Sequence, residues 1–255
     1  MKFLCLACPH GNVKFLKTPL QDIDAVLIAG DLGKADKARA LRMKYPDAAS
    51  LSEKVSKQEL EEMTEENISS SYKILKYFSK KPTYFVFGNA DNPKATIERR
   101  NKKYGMKIKP LEDRIRRKAE NINGKVIKIG NIKVAGLEYF CELEWVKTFV
   151  GKDAHRTYLE KFEEKQAKTF LSKLEKVDIL LTHNPPYGYL DLVDNPIVPK
   201  SWNGKHAGSH SVLEYIKRKQ PKYVICGHIH EARRRVKIGK TTVINTSNSF
   251  KVLSL

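Results

Sequence analysis

Apolar positions along this chain fall into short runs that stop abruptly at glycine, proline or a polar residue, with longer stretches of helical spacing between them. Residues 2–7, 25–29, 83–87, 178–182 and 223–226 each read as a short buried strand. Residues 126–129 and 132–135 flank Gly130-Asn131 and predict a hairpin. A second hairpin is predicted at 234–238 and 241–245 around Gly239-Lys240, and a final edge strand at 250–255. Ser56-x-x-Glu59 has capping-box spacing, and Leu60, Met63, Ile68, Tyr72, Leu75 and Phe78 then recur every three or four residues as one helical stripe. A second amphipathic helix is predicted over 155–177, with Leu159, Phe162, Phe170 and Leu174 on its apolar side and His155 as a polar residue at its start. Shorter helices are expected at 93–103, at 111–118 and after Ser209.

From about residue 34 to 80 the chain carries helical signals and few strand signals, so this stretch reads as a mostly helical insertion. Strand and helix alternate early and hairpins cluster late, which predicts an α/β fold with mixed sheets. No linker, repeat or low-complexity tract divides the 255 residues, so a single domain over 1–255 is expected.

Composition changes this picture in two places. The formal net charge of +19 and pI near 9.7 give a field that attracts polyanions or anionic substrates. Residues 94–133 concentrate it, with fourteen Lys/Arg against four Asp/Glu, and mark nucleic acid as a candidate partner. Cys5, Cys8, Cys141 and Cys226 lie mostly in apolar surroundings, without the spacing of a disulfide framework. In an extended strand Cys5 points to the face opposite Cys8, so the Cys-x-x-Cys is not read as a redox motif. The apolar residues before Pro9 are too few for a signal peptide and no transmembrane run occurs, so a soluble cytoplasmic protein without membrane contact is expected.

The polar residues that end the strands carry the chemistry. In order they are His10, Asp31, Asn89, His183, His228 and His230, each following a short apolar run. Ligands of open α/β sheets gather outside the carboxyl ends of strands, and imidazole, carboxylate and amide oxygen are the donors a pair of divalent metals needs.

With these residues in hand, the sequence resembles the calcineurin-like metallophosphoesterase superfamily. The family pattern of Asp-x-His, Gly-Asp, Gly-Asn-His-Glu/Asp, a lone His after a strand, and Gly-His-x-His meets Cys8-Pro9-His10, Gly30-Asp31, Gly88-Asn89-Ala90-Asp91, His183 and Gly227-His228-Ile229-His230 in order. The stretch from Thr182 to Glu231, with Gly204-x-His206-x-Gly208-Ser209 inside it, resembles the small cytosolic phosphodiesterase branch. The resemblance implies a four-layer α/β/β/α sandwich of two mixed sheets flanked by helices. It implies two divalent ions (Mn, Fe, Zn or Ni), one held by Cys8, His10, Asp31 and His230, the other by a bridging Asp31 with Asn89, His183 and His228. It further implies hydrolysis of a phosphate ester, more specifically a phosphodiester, by attack of a metal-bridging hydroxide on phosphorus, with Asp31 and Asn89 in the machinery. His206 is the candidate for leaving-group assistance, and Gly208 and Ser209 either offer N–H groups to a phosphate or cap a helix.

Two positions depart from the pattern. Cys8 stands where the family has aspartate, so the first site either gains a soft thiolate or loses a ligand. Ala90 replaces a histidine that many relatives use as an acid, leaving Asp91, His206 or water to protonate the leaving group. These departures keep open a second reading, a catalytically impaired protein of the same fold that binds nucleic acid through its basic surface. The basic surface favours nucleotides or nucleic acid as the substrate of an active enzyme.

Overall fold

Uninterrupted aliphatic runs can be buried on both faces, and here they form the parallel centres of two sheets. The computed structural model describes residues 1–45, 51–116, 118–149 and 154–255, without the side chains of 147–149 and 154–160. The strands are β1 (Lys2–Ala7), β2 (Ala25–Ala29), β3 (Thr83–Val86), β4 (Glu120–Asn121), β5 (Val126–Ile129), β6 (Ile132–Leu137), β7 (Ile179–Thr182), β8 (Tyr223–Cys226), β9 (Arg235–Ile238), β10 (Thr241–Asn245) and β11 (Ser249–Ser254). The helices are α1 (Asp36–Lys44), α2 (Lys57–Phe78), α3 (Lys94–Tyr104), α4 (Leu111–Ile115), α5 (Leu143–Phe149), α6 (Ala154–Lys173) and α7 (His210–Lys219).

One sheet runs β11-β1-β2-β3-β4 and the other β5-β6-β7-β8-β10-β9. In the first, β1, β2, β3 and β4 are parallel and β11 is antiparallel to β1. In the second, β6, β7, β8 and β10 are parallel, and the hairpin partners β5 and β9 are antiparallel edges. Phe3, Cys5, Leu27 and Val86 meet Val134, Ile179, Leu181 and Ile225 between the sheets. The alternate residues Leu4, Leu6, Val26 and Ile28 pack outward against Leu60, Ile68, Leu75 and Phe78 of α2. Leu180, Val224 and Val243 pack on the other side against Leu171 and Leu174, beside Val212 and Ile216 of α7. The result is the α/β/β/α layering that the family resemblance implied.

Local chemistry explains where several elements start and stop. Ser56 Oγ accepts the Glu59 N–H at 3.2 Å and Glu59 Oε2 accepts the Ser56 N–H at 2.9 Å, closing the capping box that opens α2. Helix α4 ends at Ile115, three residues short of the expected end, because Arg116 takes a φ of 41°. Two elements, β4 and α5, lack a sequence signal strong enough to predict them. The backbone of α6 covers the expected helix, while the His155 and Leu159 side chains lie outside the described residues. The Cys5 and Cys8 expectation needs correction: Cys8 leaves the strand with φ 51°, the alternation breaks, and both thiols lie in the core between the sheets. All four cysteines are free. Among the described residues, no helix is long and apolar enough to cross a membrane.

Candidate metal centre

Because β1, β2 and β3 are parallel, as are β7 and β8, the residues following them collect at the carboxyl ends of both sheets. Cys8, His10, Asp31 and His228 all adopt left-handed backbone conformations, with φ of 51°, 44°, 54° and 72°. Non-glycine residues rarely adopt that region, and such strained positions cluster at functional sites. The neighbouring glycines make the close approach possible. A Cβ on Gly88 would stand 2.2 Å from Asp31 Oδ1, and one on Gly30, itself at φ 82°, 2.5 Å from His183 Nδ1.

Two clusters of donor atoms meet at Asp31. In the first, one ligand atom each of Cys8, His10, Asp31 and His230 lies within 4.8 Å of all the others. His10 Nε2 and His230 Nε2 are 3.2 Å apart, and His10 Nε2 is 3.7 Å from Asp31 Oδ2. In the second, Asn89 Oδ1 lies 3.0 Å from His183 Nε2 and 2.8 Å from His228 Nδ1, and His183 Nε2 is 3.7 Å from the same Asp31 Oδ2. The other Asp31 oxygen accepts the Ala90 N–H at 2.8 Å.

The donor set fits divalent cations. Burial lowers His10 below its ordinary pKa. It also lowers His230, to about 4 with help from His10, and His228, to about 3 with help from His183, so these rings are neutral and hold lone pairs. His183 Nδ1 donates to the Ala29 carbonyl at 2.7 Å, which in the neutral ring leaves Nε2 as an acceptor aimed at two other acceptors, Asn89 Oδ1 and Asp31 Oδ2. Burial alone would raise Asp31, but His183 and His10, once protonated in acid, and the Ala90 N–H outweigh it and hold the carboxyl at about 2, so it is already ionised at the higher pH where the rings are neutral. At His183 Nε2 an acceptor faces two other acceptors, and a bound cation satisfies all three. Burial, then the Asp31 charge, pushes the Cys8 thiol up, and its sulfur accepts the His228 N–H at 3.3 Å and lies 3.5 Å from Ser247 Oγ. A cation would ionise that thiol.

Asp91 serves the loops. Its Oδ2 accepts the Asp31 N–H at 2.7 Å and the Gly88 N–H at 2.8 Å, and its Oδ1 accepts the Leu32 N–H at 2.8 Å, tying the β2 and β3 ends together. Burial and the facing Asp31 push it up to about 7 against the pull of those N–H groups. Helix α2 braces the same loops: Asn67 Nδ2 donates to the Lys34 and Ala90 carbonyls at 3.0 and 3.2 Å, and Ser70 Oγ accepts the Lys34 N–H at 2.8 Å.

A cavity of about 530 Å³ opens above these clusters, with His10, Asp31, Asn89, His228 and His230 lining it. Cys8 and His183 are fully buried and do not line it. Gly208 reaches the cavity wall, whereas His206 and Ser209 are not among its lining residues. His206 Nδ1 pairs with buried Asp191 Oδ1 at 2.7 Å, and Asp191 Oδ2 accepts the Gly188 and Gly208 N–H groups at 2.9 and 3.1 Å. Ser209 Oγ accepts the Val212 N–H at 3.1 Å as the cap of α7 and donates to Glu142 Oε1 at 2.8 Å. Asp194 is exposed, its N–H donating to Glu231 Oε1 at 3.1 Å. Arg39 and Arg42 of α1, together with Trp145 and Trp202, line the cavity without having been singled out by sequence. The signal available for the arginines was helical spacing: Ala35, Ala38, Arg39, Arg42 and Met43 recur every three or four residues.

A UPF0046 protein of Caenorhabditis elegans is 30% identical over 108 residues, 41% of this chain and 34% of that protein. Human metallophosphoesterase domain-containing protein 1 is 40% identical over 74 residues, 29% of this chain and 21% of that protein. The matched segments thus span about a third or less of these relatives. Among solved structures, the phosphopantetheinyl hydrolase PptH from Mycobacterium tuberculosis aligns with a TM-score of 0.58 at 10% identity, over 96% of this chain and 88% of that one, a likeness of fold alone. The model of the calcineurin-like phosphoesterase family matches residues 1–232, which takes in every strand-end residue of both clusters, and the chain belongs to that family.

Proposed function

We propose that this protein is a dinuclear metal-dependent phosphodiesterase acting on nucleotides or nucleic acid. The observation that carries the reading is the meeting of two sets of acceptor atoms at one carboxylate oxygen, 3.7 Å from His10 Nε2 on one side and 3.7 Å from His183 Nε2 on the other. In this reading Cys8, His10, Asp31 and His230 hold one ion, and Asp31, Asn89, His183 and His228 hold the second. Bound cations supply Lewis-acid stabilisation of the phosphoryl oxygens and an ionised water near neutral pH. The chain's own part is to hold Asp31 ionised, to fix His183 through the Ala29 carbonyl, and to keep Asn89 Oδ1 between two imidazoles.

The preference for nucleotides or nucleic acid rests on the net charge of +19 and on Arg39, Arg42 and Arg100 in the cavity wall. Leaving-group protonation falls to water in this reading, because the Asp91 oxygens are engaged by the loops and His206 does not line the cavity. The test is hydrolysis of an aryl phosphodiester by chelator-stripped protein with Mn²⁺, Zn²⁺ or Ni²⁺ added back. Metal-restored turnover that Asp31→Asn abolishes is the expected result. Silence with every metal, together with salt-sensitive nucleic-acid binding, would establish the binding protein instead.

A further inference from the structure

We propose that Arg39, on helix α1, binds the substrate phosphate at the metal centre, which makes the helical segment after β2 part of the active site; the inference rests on the phosphoesterase reading above. Helix α1 has no buried residue, so core packing does not account for its position. Its Arg39, Arg42 and Met43 line the same cavity as His10, Asp31, His228 and His230. Arg39 is half-buried at the cavity wall, and its positive charge disfavours protonation of His10 and His230 of the first cluster and of His228 of the second.

Among the described residues, no carboxylate lies within ion-pairing distance of the Arg39 guanidinium. A fixed cation facing residues that collect cations is repelled by them unless an anion lies between. A phosphate group meets that need, because it has oxygens for the metals and oxygens left over for the planar guanidinium fork, which binds two at once.

The experiment uses the full chain loaded with Mn²⁺ and inorganic phosphate as the probe. Metal content is measured by elemental analysis and phosphate affinity by calorimetry, for the native protein, Arg39→Ala, Arg39→Lys and the exposed charge control Arg99→Ala. The absence of buried residues on α1 lets the Arg39 variants fold. Phosphate binding about tenfold or more weaker in Arg39→Ala, intermediate in Arg39→Lys and unchanged in Arg99→Ala, all at native metal content, is the expected result. Native phosphate affinity in Arg39→Ala at native metal content overturns the role of Arg39 and leaves the hydrolase reading standing. A loss shared equally by Arg99→Ala reduces the effect to net charge and also overturns it. A native chain that takes up no metal overturns both readings.

Discussion

Replacing Asp91 tests whether the metal centre is held together by one buried carboxylate. Asp91→Ala strands three N–H donors, those of Asp31, Leu32 and Gly88, which the carboxylate now accepts at 2.7 to 2.8 Å. A buried donor left without a partner costs about 1 to 3 kcal/mol. Two effects offset part of that cost: water can enter the vacated space, and the repulsion between Asp31 and Asp91 disappears. The net expected loss is about 2 to 4 kcal/mol, large for a single substitution. Asp91→Asn keeps one acceptor oxygen, which can serve the two donors now on Oδ2, and sets an amide NH₂ against the Leu32 N–H; its loss is about half as large. Urea denaturation of chelator-treated protein measures both, since bound metal would otherwise add its own linkage to the transition midpoint. An Asp91→Ala variant within about 0.5 kcal/mol of native at unchanged m-value would refute the clamp, because that is the scatter of ordinary surface substitutions.

Cys8 should set metal preference: a buried thiolate favours Zn²⁺ over Mn²⁺, and Cys8→Asp should reverse the order while Cys8→Ala lowers metal content, as competitive loading and elemental analysis would reveal. Equal Zn²⁺ and Mn²⁺ loading in all three proteins would remove Cys8 from the site. The metal-free protein should lose stability as the pH falls below 6.5, followed by thermal unfolding. His228 and His230 have folded pKa values of about 3 and 4, below the ordinary 6.5, so the unfolded chain takes up their protons first and the stability they contribute is lost as pH falls through those values. Burial lowers His10 in the same direction. Asp91, raised from 3.8 to about 7, acts oppositely, but one carboxylate is outnumbered by three imidazoles. Asp31, held at about 2, adds to the loss only in stronger acid. A flat stability profile between pH 6.5 and 4 would show that the histidines are not buried as neutral rings.

The strand-end chemistry was legible in the sequence because it is local. A short aliphatic run ending in a polar residue, with a glycine before it at Asp31, Asn89 and His228 and none at His183, suffices to place these four at strand ends, and the order of those motifs carries the family and the layered fold. The hairpin at Gly130-Asn131 and the Ser56–Glu59 box are likewise settled by neighbours within a few residues. Tertiary structure decided what depends on residues far apart in the chain. Asp91 closes on N–H groups 59 and 60 positions away, so nothing in its own neighbourhood distinguishes a clamp from an acid. Cys8 joins His10, Asp31 and His230 only because its backbone leaves the strand at φ 51°, against the alternation that a pattern of side chains assumes. Ser209 could have capped a helix or met a phosphate until Glu142, 67 residues earlier, took its hydroxyl. Arg39 has no motif around it; the packing of the chain after β2 across the strand ends is what turns an ordinary surface arginine into a wall of the cavity.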